Sequence, residues 1–175
     1  MFHSEGEAPM SLRSVLLDRQ LAMNALGIAT PMIEALLQLS KREGPNFVHV
    51  VVMDPFAPTH GGFTVIAQRT IGPAPEDHSQ WKRRYDAIAL AKAAVSQRTG
   101  KSSAVAIAEA PALLQVNDTF FEGSDVIGGV PVGASGVESY LDEAAARIVG
   151  SVISALIKER LDDLKEKGKV FLEPS

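Results

Sequence analysis

Val126-Ile127-Gly128-Gly129-Val130-Pro131-Val132-Gly133-Ala134-Ser135-Gly136-Val137-Glu138-Ser139-Tyr140-Leu141-Asp142-Glu143 is an apolar, glycine-punctuated strand that turns within a few residues into an acid-started helix, continuing through Ala144-Ala145-Ala146-Arg147. The glycines supply backbone freedom and room for close approach. Ser135 and Ser139 are each followed three residues later by an acid, Glu138 and Asp142, which is the capping-box spacing that satisfies the free amides of a helix start. A strand that feeds straight into a helix sets the class as mixed α/β.

Composition narrows the class further. With 175 residues, 46 % hydrophobic and 22 % charged, the chain is long enough for one domain to close a core without disulfides or metals. Seventeen basic against twenty-one acidic side chains leave a net charge of −4, which argues against a nucleic-acid or anionic-membrane partner. The absence of cysteine excludes disulfides, thiolate metal sites and cysteine nucleophiles, and fits a reducing compartment. His3, Ser4, Glu5, Gly6 and Glu7 interrupt any secretory leader pattern, and no apolar run reads as bilayer-spanning, so a cytoplasmic protein is expected.

Outward from the opening stretch, the expected layout is an N-terminal tail over 1–12, a single domain over 13–168 and a C-terminal tail over 169–175. From Ser14 to Lys41 the spacing of Leu17, Leu21, Leu26, Ile33, Leu36 and Leu37 predicts helix, broken into two pieces by Gly27 and Pro31. Phe47 to Met53 is a nearly unbroken β-branched run, the pattern of a central strand covered on both faces. Phe63 to Arg69 reads as its hairpin partner, and a helix is expected from Ser79 to about Arg98, with a short one over Ser102 to Ala110. Leu113 to Phe121 and Val126 to Ser135 flank Glu122-Gly123-Ser124-Asp125 and predict a second hairpin, before a last helix from about Glu138 to Lys167. Two hairpins with helices before, between and after them predict a three-layer alpha-beta-alpha sandwich around an antiparallel sheet.

Three pieces of sequence carry a likeness: Val51-Val52-Met53-Asp54 for a strand ending in V-V-D, Ala91-Lys92-Ala93 for a helix containing K-A, and Val126 to Gly136 followed by Leu141-Asp142-Glu143 for a closing strand and acidic helix start. In this order and spacing the chain resembles the GlcG/HbpS-like family over roughly residues 14–165, a family that also includes the C-terminal domain of PduO. The resemblance implies a profilin-like sandwich that self-associates as a homo-oligomer, with heme among the family's ligands. In family members a histidine of the first helix is among the assigned heme ligands, and residues 14–41 hold no histidine.

Candidate functional residues follow from isolated polar groups. Lys92 falls on a helical stripe with Trp81, Tyr85, Ile88 and Val95; it is either a desolvated amine that meets a carboxylate or a lysine that snorkels to solvent or pairs with an acid. Asp54 ends the buried strand before a proline-bounded turn, as a loop cap or as a general base beside His60. His60, on a Gly-Gly tip, is a candidate proton carrier, while His49 reads as a hydrogen-bonded core histidine. His78 stands before the Trp81 segment, as a helix cap or as part of a pocket with Tyr85. Gly133, Ser135 and Gly136 are candidates for presenting backbone groups to an anion at a helix start, although the segment lacks a P-loop lysine and dinucleotide spacing. No pair of histidines has chelating helical spacing, and no metal site is expected.

These readings point to a small-molecule-binding protein whose pocket joins Asp54, His60, Trp81, Tyr85, His78, Lys92 and the glycine segment, with heme or a small organic acid as ligand. The competing expectations are a lyase, isomerase or hydratase acting on a carboxylate metabolite, with Lys92, His60 and Asp54 catalytic, and a purely structural assembly module.

Overall fold

The β-branched run after Phe47 becomes β1 (Val48–Met53), and all six of its side chains are buried. That burial follows from its place in the computed structural model, which describes residues 14–56 and 64–172. β1 pairs antiparallel with β2 (Val65–Ile71) on one edge and with β4 (Val130–Ser135) on the other, and β3 (Ser124–Ile127) pairs with the far side of β4. The strand order is β2-β1-β4-β3.

Alternation along β1 divides the core. Val48, Val50 and Val52 face α1 (Arg19–Leu37) and α4 (Ser139–Glu166), whose Leu26, Ile33, Val149 and Ile153 are fully buried there. Val51 and Met53 face α2 (Tyr85–Thr99), which lies on the sheet through Ala89 and Ala93. α3 (Ser103–Glu109) follows α2. Helices therefore cover both faces of a central antiparallel sheet, the alpha-beta-alpha sandwich expected from the sequence.

Three local expectations are corrected. α1 is one helix rather than two, with Pro31 inside it. An interior proline removes a backbone hydrogen bond at a cost of about 3 kcal/mol, but the buried face runs on both sides of it, through Leu21, Ala25 and Leu26 before and Ile33 and Leu37 after. Each buried leucine or isoleucine contributes roughly 1.5–3 kcal/mol, enough to hold the segment helical through the missing bond. By length and composition α1 is also apolar enough to cross a membrane, which the sequence reading did not anticipate, yet its apolar face is packed into the core of this domain.

The second hairpin turns at Gly128-Gly129, not at Glu122 to Asp125. The two glycines adopt φ 59° and 82°, the positive values of the two-residue turn that matches strand twist. Leu113 to Phe121 form no strand: Asp118 accepts from the Gln115 amide and pairs with Arg98, which curls the segment back on itself. Pro131 lies one residue beyond the last β1–β4 pair, Val52–Val132, so its missing donor costs the sheet nothing on that side.

The third correction concerns α2, which begins at Tyr85. Ser79 instead belongs to a single 3-10 turn, His78–Gln80, where the Asp77 carboxylate accepts from the Ser79 amide. Trp81 leaves that turn in extended conformation and donates its indole N–H to the Pro75 carbonyl at 3.0 Å.

Candidate functional site

The first residue of α2 and the residue before β1 meet at one end of the sheet. Phe47 packs against Trp81 (ring centroids 5.2 Å) and edge-on against Tyr85 (5.5 Å), and all three rings are buried. Such tilted and edge-to-face pairs are the favoured aromatic geometry. Above them opens a cleft of about 630 Å³. Arg42, from the segment between α1 and β1, and Lys82 and Arg83, from the approach to α2, stand exposed at its rim, with Glu43 the one acid among the described lining residues.

Among the described residues, Lys82 and Arg83 are not spent on neighbouring acids, and Arg42 acts on Glu138 and Asp142 through its field without an ion-pair contact. Arg42 donates to the Gly136 carbonyl at 3.0 Å, and the Arg83 guanidinium stands 5.5 Å over the Phe121 ring. Asp86, the nearest acid in sequence, is taken by Arg84 through two hydrogen bonds, which hold its carboxyl down to about 2. Lys82 and Arg83 have no acidic partner among the described residues. A rim of this kind attracts an anion, and the rings below it accept an apolar body.

The sequence candidates divide among three places. Trp81, Tyr85 and Gly136 line the cleft. His78 is not among its described lining residues; it is stacked on Trp81 at 3.7 Å, with Nδ1 3.8 Å from Asp86. Gly133 and Gly136 serve close packing: a Cβ at Gly133 would fall 2.1 Å from the Ala89 carbonyl oxygen, and one at Gly136 2.1 Å from that of Phe47. Ser135 is buried in the strand opposite His49.

Lys92 lies apart from the cleft, buried, where its ammonium donates to the Asp142 carboxylate and the Ala134 carbonyl, each at 2.8 Å. The other Asp142 oxygen accepts from the Val137 amide at 3.1 Å. Asp142 thus reaches back before its helix while holding Lys92, rather than completing a box with Ser139. Burial pushes the Asp142 carboxyl up to about 6 against the pull of Lys92, and burial likewise lowers the Lys92 ammonium against the pull of Asp142.

Asp54 sits at the opposite end of α2. Its carboxylate caps the Phe56 amide at 2.9 Å, and Gln97 donates to its carbonyl. Gln97 is twelve residues beyond Tyr85, so roughly 18 Å of helix separates Asp54 from the aromatic rings. His60 lies outside the described residues. His49 is the core histidine expected, with Nδ1 2.9 Å from the Thr70 hydroxyl.

Arg42, Lys82 and Arg83 were missed by the sequence reading, and the signal was the short basic run Lys82-Arg83-Arg84 beside the lone tryptophan. Asp142 was missed as the partner of Lys92 because its spacing from Ser139 fits a cap equally well.

No family model matches the chain, and no curated protein matches it. Solved structures do. HbpS of Streptomyces reticuli, as a double mutant, aligns at 20 % identity over 87 % of this chain and 97 % of that one, with a TM-score of 0.56. Klebsiella pneumoniae ORFY, a DUF336 protein, aligns at 15 % identity over 89 % of this chain and 99 % of that one, with a TM-score of 0.52. The chain carries the fold of the GlcG/HbpS-like proteins, over nearly the whole length of both.

Proposed function

We propose that this protein binds a small organic acid in the cleft beneath Arg42, Lys82 and Arg83. The observation that carries the reading is the pairing of three rim cations from two chain segments with a floor of buried aromatic rings. Carboxylates are matched by arginine forks, and the low-dielectric floor strengthens the attraction at the rim.

The cleft does not fit heme. Among the described residues, histidine, methionine and cysteine are absent from its lining, and Tyr85, buried beside Phe47, is the one side chain there of a type that holds heme iron. His49 is buried with its Nδ1 against the Thr70 hydroxyl, and His78, stacked on Trp81, is not among the residues described as lining the cleft.

Two further expectations belong to this reading. A cysteine-free chain suits the cytoplasm, where organic acids are metabolised. Self-association is supported by Val116 and Phe120, large apolar side chains left 91 % and 71 % exposed.

The test is thermal melting of the protein across a panel of aliphatic and aromatic acids, repeated with the exposed triple variant R42A/K82A/R83A. A ligand at 100 times its Kd stabilises by about 2.7 kcal/mol. A saturable rise in Tm that disappears in the triple variant is expected. A rise that persists there, or no rise with any acid, overturns the proposal.

A further inference from the structure

We infer that the cleft selects aromatic carboxylates over saturated carboxylates of equal size and charge, an inference that rests on the organic-acid reading above. The floor decides between ligand bodies. Phe47, Trp81 and Tyr85 present ring surface, and the one polar group of the indole, its N–H, is already committed to the Pro75 carbonyl. A polyhydroxylated or amide-bearing body finds partners at Asn46, Gln80 and the Tyr85 hydroxyl, but each polar group it lays on ring carbon without one costs about 1–3 kcal/mol. An aromatic body meets the rings in the same tilted or edge-on packing they adopt with each other.

The rim favours the same class. Arginine guanidinium groups stack on aromatic faces as well as gripping carboxylates, and Arg83 already stands over the ring of Phe121. A flat ligand with its carboxylate at Arg42 or Lys82 presents its own face to Arg83; a puckered saturated ring does not.

Size adds a third constraint. A space of about 630 Å³ lies within the usual range for cofactor and metabolite pockets. An acid of two to four carbons would leave most of it filled with water. A molecule of two fused rings covers the floor and still reaches the rim cations.

The experiment is calorimetric titration of the full chain with naphthalene-2-carboxylate, its decahydro analogue and naphthalene-2-carboxamide. Saturable binding of the carboxylate is expected, with both analogues at least about tenfold weaker, equivalent to about 1.4 kcal/mol. Arg83→Ala, an exposed substitution that leaves the floor intact, should narrow the gap between the aromatic and decahydro acids. Equal affinity for the decahydro acid overturns the aromatic preference and leaves the organic-acid reading standing. Equal affinity for the carboxamide, or no binding by any of the three, overturns the organic-acid reading itself.

Discussion

The Lys92 ammonium and the Asp142 carboxylate meet at 2.8 Å with both side chains buried, joining α2 on one face of the sheet to α4 on the other. The meeting takes place just before β3 begins: Ala134 donates its amide to Gly123, but the Gly123 amide turns away to the Ser103 hydroxyl. The Lys92 ammonium fills the vacated position by donating to the Ala134 carbonyl. A side chain thus completes the ladder that the short strand leaves open, and the same ammonium ties down the first turn of α4.

Breaking this pair from one side leaves a buried charge alone, which costs about 3–5 kcal/mol. Lys92→Met is therefore expected to lower stability by that amount in urea unfolding. The double variant K92M/D142N removes both charges and keeps an oxygen for the Val137 amide, so it should regain more than half of the loss. A single-variant cost below about 1 kcal/mol would show that the pair is not desolvated as the geometry requires.

The Asp142 carboxyl, pushed up to about 6 by burial, should be visible in carbon-13 spectra as an aspartate with a raised titration midpoint. Its folded value stands above the ordinary 3.8, so the folded chain takes up this proton first. The contribution of this group to stability accordingly grows as pH falls through about 6 towards 3.8. A midpoint near the ordinary value would mean that the Lys92 charge outweighs burial.

His49 acts in the opposite sense. Burial holds its imidazole below the ordinary 6.5, against the raising influence of the Gln68 hydrogen bond and the Asp86 charge, with His78 adding to the lowering. The unfolded chain then binds the proton more readily, so stability present above 6.5 is lost as pH falls below it. Comparing the wild type with His49→Gln in urea between about pH 8 and about pH 5 isolates this group. The variant is expected to lose less stability on acidification; parallel curves would remove His49 from the acid response.

Much of the fold was legible because it rests on period. The unbroken run Val48 to Met53 can only be a doubly covered strand, and the Gly-Gly pair between Ile127 and Val130 can close a hairpin once its exact place is known. What local pattern could not give was set by distant partners. Pro31 sits in an unbroken helix because core contacts on both sides of it outweigh one backbone bond, and Leu113 to Phe121 are coiled because Arg98 captures Asp118. In the site, the aromatic members Trp81 and Tyr85 were readable as an apolar wall, but Asp54 was placed beside them when the length of α2 keeps it away. Lys92 was recognisable as a buried amine; its partner, fifty residues on, was not.

Gly133 makes the approach of α2 to β4 a sharp test of this packing. An added Cβ would fall 2.1 Å from the Ala89 carbonyl oxygen and 2.8 Å from the Ala93 amide nitrogen, both backbone atoms that cannot swing aside. Gly133→Ala is therefore expected to cost about 3 kcal/mol or more, at or above the upper end of ordinary overpacking. Gly129→Ala, with nothing within 4 Å but a φ of 82°, should cost only the 1–2 kcal/mol, roughly, of left-handed strain. Equal costs in thermal or urea unfolding would mean that α2 shifts freely on the sheet.

Hemin separates the fold from the ligand that the fold family brings to mind. The cleft offers cations to hemin's propionates, so weak association is expected, but its lining among the described residues holds no histidine, methionine or cysteine to take the iron. Visible spectra during a hemin titration should therefore show a broad, unsaturating Soret region, little changed by His78→Ala or Tyr85→Phe. The first variant removes the imidazole stacked 3.7 Å from Trp81, and the second removes the phenol oxygen while keeping the ring against Phe47. A sharp, saturable band lost in either one would assign an iron ligand, and with it overturn the organic-acid reading of the cleft.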